Sequence, residues 1–163
     1  LDGSNFYLHG LSVKILSKKF EDVKVIKGVG IDLVMTKRLR NLVKRWGEKF
    51  LRRVFTPNER KELKTSPFPY ESLAGKFAAK EAFLKALGKG LFEIPFLEIE
   101  VLKEERGKPF ICLHGKAKKM VQEINLKNIH LSISHDGGMA MALVVLEVED
   151  EACNPRRNEG TRS

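Results

Sequence analysis

Phe77-Ala78-Ala79-Lys80-Glu81-Ala82-Phe83-Leu84-Lys85-Ala86 reads as a single helix that carries an acid and two bases beside large apolar side chains. At 3.6 residues per turn, Leu73, Phe77, Leu84 and Leu87 fall together as a buried stripe. Glu81 lies at the margin of that stripe, and Lys85 follows one turn later on the same side. Ala74 and Ala78 flank them with side chains small enough to leave room for a ligand, while Lys80 lands among Leu73, Leu84 and Leu87. An isolated Glu-x-x-x-Lys on a helix is usually a solvent-exposed pair worth about 0.2–0.5 kcal/mol. A second acid in an unusual setting makes this pair a candidate site.

That acid is Asp32, in Val29-Gly30-Ile31-Asp32-Leu33-Val34. From Val23 to Val34 the chain alternates, with Val23, Val25, Val29, Ile31 and Leu33 on one face of a strand and Gly28, Gly30 and Asp32 on the other. Two glycines strip the second face of side chains, which weakens the strand but lets another group come close. Asp32 projects from that bare surface.

The rest of the chain organises around these two segments. Thr56-Pro57-Asn58-Glu59 has an N-cap, a Pro at the first helical position and a Glu at the third, the start of a short capped helix. Thr65 to Pro69 is a break before the long helix at 71–87. Leu97, Ile99 and Val101 alternate as a strand, and Arg106-Gly107-Lys108-Pro109 turns it back into a strand from Phe110 to His114. A helix at about 115–125, a strand at 129–134, a Gly137-Gly138 turn and a strand at 140–147 complete a three-helix, antiparallel-sheet α+β domain. Residues 1–22 read as an unplaced extension, 23–149 as the domain, and 150–163 as a polar, disordered tail.

A chain of 163 residues suits one domain with a real core. Its 42% hydrophobic and 31% charged content is ordinary for a soluble protein. It contains no apolar run of membrane-spanning length and opens on no signal-peptide pattern. Cys112 and Cys153 show no metal-ligand spacing, which points to a reducing, cytoplasmic setting.

The net charge of +9 calls for an anionic partner. Nucleic acid is the usual first candidate, yet the charge is clustered. Residues 36–53 hold eight Lys and Arg against one acid, Glu48, while Leu39, Leu42, Val43, Trp46 and Phe50 recur at helical spacing. This is an amphipathic segment with a basic outer face, broken or bent at Gly47. An acidic protein or a polyphosphate ligand explains such one-sided clustering better than a nucleic acid does. With Trp46 and Phe50 assigned to the apolar stripe, the basic face has no interleaved aromatics for stacking bases.

Four blocks together resemble the holo-acyl-carrier-protein synthases, the small phosphopantetheinyl transferases. They are Gly28-Val29-Gly30-Ile31-Asp32, Phe55-Thr56-Pro57-Asn58-Glu59, Leu73 to Ala82 with Lys85 to Gly90, and Ser132-Ile133-Ser134-His135. They stand in family order across roughly residues 24 to 147. The resemblance implies transfer of 4′-phosphopantetheine from coenzyme A to a serine of an acidic apo-acyl carrier protein, releasing adenosine 3′,5′-bisphosphate. It also implies Mg²⁺ held by Asp32 and Glu81, since a hard divalent ion suits carboxylates with room left for pyrophosphate oxygens and water. Lys85 would stabilise pyrophosphate charge, with the acceptor of the serine proton open between Glu81, another side chain and water. Lys76, Lys85, Gly88, Gly90, Ser134 and His135 would contact coenzyme A. Arg38, at the position of a carrier-contacting arginine, would begin a docking face continued by Arg45 and Arg53. The expected assembly is a homotrimer with active sites at its interfaces. Departures from the family pattern are Lys76 in place of a commoner Arg, Lys89 in the glycine loop, and Asp136 after His135. The alternative to an enzyme is a non-catalytic basic module that binds acidic carrier protein or nucleic acid.

Overall fold

The computed structural model describes residues 24–90 and 93–149. The expected extension at 1–22 and the tail at 150–163 lie outside them. Five strands and four α-helices follow in the order β1 (Lys24–Met35), α1 (Thr36–Val54), α2 (Pro57–Thr65), α3 (Pro69–Ala86), β2 (Ile99–Lys103), β3 (Pro109–Leu113), α4 (Gly115–Glu123), β4 (Leu126–Asp136) and β5 (Met139–Glu149). Strands β1, β5 and β4 form one antiparallel sheet with β5 in the middle, and β2 and β3 form a separate antiparallel pair. Among the described residues the architecture is α+β, with four α-helices rather than three.

The glycine face of β1 turns inward. A Cβ on Gly30 would lie 1.9 Å from the carbonyl oxygen of Ala82, and one on Gly28 would lie 2.1 Å from that of Ala86. The group admitted by those glycines is therefore the backbone of α3. Gly75 makes the same concession to β4, where a Cβ would meet the His135 ring at 2.8 Å and Ile133 at 2.9 Å. Helix α3 lies on the sheet along Gly75, Ala78, Ala79, Ala82 and Ala86 and packs its other side against α1, α2 and β2. It is buried almost all round, Phe83 and Leu84 included. Ala74 and Ala78 are both 0% exposed, so their small size serves close packing and leaves no room for a ligand.

Gly30→Ala is expected to destabilise the fold by about 3 kcal/mol or more, because neither the helix carbonyl nor the strand can move away cheaply. Urea unfolding measures this, and an unchanged midpoint would contradict the packing.

Local signals explain the element ends. Thr56 and Glu59 form a complete capping box at the start of α2. Gly47, at φ 52° and ψ −135°, kinks α1 where the sequence places a break. Gly88, at φ 67°, ends α3 in a Schellman motif, with Gly88 N–H donating to Lys85 O at 3.0 Å and Lys89 N–H to Leu84 O at 2.9 Å.

Inward glycines put the apolar face of β1 outward. Val29, Ile31, Leu33 and Met35 continue into Met139, Met141 and Leu143 of β5, each between 39% and 58% exposed. Trp46 is likewise 50% exposed, beside the Arg45 guanidinium 5.2 Å from its ring centroid. It does not join the apolar stripe, so the basic segment does display an aromatic.

Candidate active site

Asp32 and Lys85 meet where β1 crosses the last turns of α3. Lys85 Nζ donates to Asp32 Oδ1 at 2.8 Å and to the carbonyl oxygen of Ile31 at 3.0 Å. Glu81, one turn before Lys85, has no hydrogen-bond or ion-pair partner among the described residues. Burial pushes its carboxyl above the ordinary glutamate range, and the neighbouring Asp32 charge pushes it the same way, while Lys85 and Arg38 pull against them. Two carboxylates and an ammonium from distant parts of the sequence thus share one spot, with Arg38 close enough to act on it.

Among the described residues, no three His, Cys, Asp or Glu side chains converge as a ready-made metal cage. Asp32 and Glu81 nevertheless fit a hard divalent cation that completes its shell with ligand oxygens and water. Glu81 has a raised proton affinity caused in part by Asp32, and a cation between the two carboxylates would relieve that repulsion.

The remaining predicted residues are spread more widely. Gly88 follows α3 directly, and the Gly90 N–H donates to Glu93 Oε1 at 2.7 Å. In the sheet, Asp32 pairs with Ala142, Ala142 with Ile133, and Ala140 with His135. His135 therefore stands two strands from Asp32, about 10 Å across the sheet, with its ring against Gly75. Ser134 alternates to the opposite face. Both are exposed. Lys76 is not at the site. It is 4% exposed, and its ammonium is held by Glu62 Oε2 at 2.7 Å and by the carbonyl oxygen of Val101.

Arg38 and Arg45 line one groove of about 400 Å³ with Met35, Lys37, Asn41 and Leu42. Arg53 is exposed beyond the Gly47 kink and does not line it. A second cleft, of about 350 Å³, is lined by Lys27, Gly28, Val29, Lys85, Ala86, Leu87, Gly88, Lys89, Met120 and Ile124.

Behind Glu81 lies a buried polar cluster that the sequence reveals only in part. Lys80 and Glu59 are both 0% exposed. Lys80 Nζ donates to Glu59 Oε2 at 2.7 Å and to the carbonyl oxygens of Val54 at 2.8 Å and Phe96 at 2.9 Å. Glu59 also accepts from the N–H groups of Thr56 and Val101, and Thr56 Oγ1 donates to Glu100, which pairs with His114. Burial pulls the Lys80 ammonium down to about 8 despite its Glu59 partner. The helical wheel places Lys80 among leucines, but nothing in the local sequence pairs it with the capping Glu59.

Two carboxylates and a lysine thus sit together on a small α+β scaffold, and comparison with known proteins shows the family to which that scaffold belongs. Residues 28–144 match a family model described as 4′-phosphopantetheinyl transferase superfamily, and the chain belongs to that family. It is 48% identical over 123 residues to a holo-[acyl-carrier-protein] synthase of Halothermothrix orenii, a match covering 76% of this chain and 98% of the relative. Among solved structures it resembles the holo-[acyl-carrier-protein] synthase of Neisseria meningitidis with a TM-score of 0.71 and 35% identity, over 75% of this chain and 98% of that one. A Helicobacter pylori holo-[acyl-carrier-protein] synthase in complex with coenzyme A aligns with a TM-score of 0.65 and 39% identity, over 72% and 98% of the two chains.

Proposed function

We propose that Asp32, Glu81 and Lys85 form the Mg²⁺-dependent centre for the reaction of holo-[acyl-carrier-protein] synthases, transfer of 4′-phosphopantetheine from coenzyme A to a serine of apo-acyl carrier protein with release of adenosine 3′,5′-bisphosphate. The observation that carries this reading is the meeting of Asp32, Glu81 and Lys85 where the glycine face of β1 admits α3. When bound, the cation supplies charge neutralisation and orientation of the pyrophosphate. Lys85 is exposed at its tip and already shared between Asp32 and a backbone carbonyl. It can exchange either partner for a phosphate oxygen without leaving the site. Gly88 adds no side chain beside Lys85, and a Cβ there would meet nothing within 4 Å. Incubating the chain with apo-carrier protein, coenzyme A and Mg²⁺ tests the reading, with a carrier mass raised by one phosphopantetheine expected and an unchanged mass contradicting it.

The carrier is an acidic protein that docks on α1, in a cytoplasmic setting that suits fatty acid synthesis. The groove holding Arg38 and Arg45 beside Met35 and Leu42 offers charge for an acidic helix and an apolar strip for its side chains. It favours a carrier protein over nucleic acid. No helix among the described residues is long and apolar enough to cross a membrane. Charge complementarity acts mainly on encounter and register and is screened over about 8 Å at physiological ionic strength. Reversing Arg38 or Arg45 to Glu is therefore expected to raise the Michaelis constant for carrier protein about tenfold, and added salt should reproduce the effect on the unaltered chain. Carrier kinetics that ignore both changes would remove α1 from the docking surface. Arg53 contributes less, because the kink at Gly47 separates it from the groove.

The active assembly is a homotrimer with interface sites. Two observations support this. The outward face of β1 and β5 is an apolar patch of the kind that marks protein contacts. His135 and Ser134 stand too far from Asp32 to serve the same centre within one chain, so a second copy would bring them to it.

A further inference from the structure

Helix α3 is held by two kinds of contact, and only one of them can set its register. On the sheet side its backbone at Ala82 and Ala86 rests on the glycines of β1, with Ala78, Ala79 and Ala82 fully buried. Side chains this small fix how near the helix comes, but they form shallow ridges that resist sliding and rolling only weakly. The opposite side carries directional bonds. Lys76 and Lys80, one turn apart, reach Glu62 and Glu59 of α2, each ammonium 2.7 Å from its carboxylate. Both pairs also grip the same residue of β2. The Val101 N–H donates to Glu59 Oε1 at 2.9 Å, and the Val101 carbonyl oxygen accepts from Lys76. Lys80 further donates to the carbonyl oxygens of Val54 and Phe96. All three of its ammonium protons are thus committed, each to a different segment.

Such a ladder is a poor source of net stability, since well-packed apolar side chains commonly replace a buried ion pair without loss. What apolar side chains lack is direction, whereas a fully satisfied polar network specifies one arrangement. Lys80 immediately precedes Glu81, and Lys85 follows Glu81 by one turn. A slide or roll of α3 large enough to break the ladder would therefore carry both Glu81 and Lys85 away from Asp32. We infer that Lys80–Glu59, supported by Lys76–Glu62, is the clamp that sets the register of α3, and that these four are positioning residues for Glu81 and Lys85. Among the described residues none of the four is bonded to Asp32, Glu81 or Lys85. The inference rests on the transfer reading above and deepens it by naming what holds the acid and the base against β1.

The double variant Glu59→Gln/Lys80→Met removes one pair without leaving an unpaired charge. It is expected to fold and to transfer about tenfold more slowly at saturating substrates and Mg²⁺, with the Michaelis constant for carrier protein unchanged. Titration with Mn²⁺ should show an affinity about tenfold weaker, the scale usual when the groups that orient metal ligands are lost. Lys76→Met/Glu62→Gln, at the more exposed pair, should move both readouts the same way by less. Val121→Ala truncates the core on α4 and serves as the stability control, lowering the melting temperature while kcat and Mn²⁺ affinity stay as in the unaltered chain. Double variants that lose only melting temperature, or a Val121→Ala chain with the same kinetic losses, would overturn the clamp. A Glu59→Gln/Lys80→Met chain that does not fold would overturn it too, by showing that the pair holds the core and not the register. An unaltered chain that modifies no carrier refutes the transfer reading, and weaker Mn²⁺ binding in the double variants then still supports the clamp. An unaltered chain that also binds no Mn²⁺ removes both.

Discussion

Glu81→Gln and Asp32→Ala are each expected to leave a folded chain whose transfer rate falls about 10²–10³-fold, the usual cost of removing one pre-organised charge from a phosphoryl-transfer site. Neither side chain holds the core together. Among the described residues Glu81 has no partner, and Asp32 is joined to the fold by its strand, with only the exposed Lys85 ammonium bonded to its carboxylate. The Gln variant keeps shape and polarity, so its loss reports on charge alone. Steady-state transfer at several Mg²⁺ concentrations and a thermal melt separate the two effects. Full activity of Glu81→Gln at limiting Mg²⁺ would remove Glu81 from the site, and a collapsed melting temperature would reassign it to structure.

Lys80→Ala is expected to destabilise the chain by about 3–5 kcal/mol, because it leaves Glu59 as an unpaired charge at zero exposure. The single ammonium bridges the end of α1, the first turn of α2 and the segment before β2. A double variant, Glu59→Gln/Lys80→Met, removes both charges and should recover much of the loss. The pH dependence has a definite sign. With Lys80 lowered to about 8 in the folded chain and at its usual 10.5 when unfolded, the unfolded state holds the extra proton between those values. Stability from this group therefore rises with pH across that window. Denaturant midpoints measured from pH 7 to 10 should show that rise in the unaltered chain and lack it in Lys80→Met. Equal slopes would place the proton elsewhere.

Much of the fold is written in local pattern. The Val29–Ile31–Leu33 alternation, the Thr56–Glu59 cap, Gly47 and Gly88 each act through their own backbone, so the elements they begin, bend or end are legible without knowing any neighbour. The close approach over Gly28 and Gly30 was legible too, but not the identity of the group that approaches. What is lost is what depends on partners. Ala74 and Ala78 read in the sequence as space for a ligand, and both are fully buried in the packed helix. Lys76 looked like a ligand contact, and its ammonium is enclosed by Glu62 and Val101, because periodicity cannot say whether a lysine at the edge of a stripe finds an acid fourteen residues back. Trp46 sits at stripe spacing, yet its ring is half exposed beside Arg45, next to the kink at Gly47. Lys27 is invisible as a cleft residue for a sharper reason. Alternation assigns it to the outward face, and only a bulge in β1, a property of the pairing with β5, moves it.

The site shows the same division. Asp32, Glu81 and Lys85 were each marked by an odd local setting, and the structure brings them together. Ser134 and His135 were marked only by resemblance, and within one chain they stay apart from the carboxylates and from each other's face of the sheet.

The most direct test of the central claim is the divalent ion bound per chain at saturating coenzyme A, counted with Mn²⁺ as a paramagnetic probe that Mg²⁺ displaces. A single displaceable ion on the unaltered chain, lost in both Asp32→Ala and Glu81→Gln while coenzyme A still binds, is the predicted result. An ion retained at full occupancy in either variant would contradict the assignment of Asp32 and Glu81 as the pair that holds it.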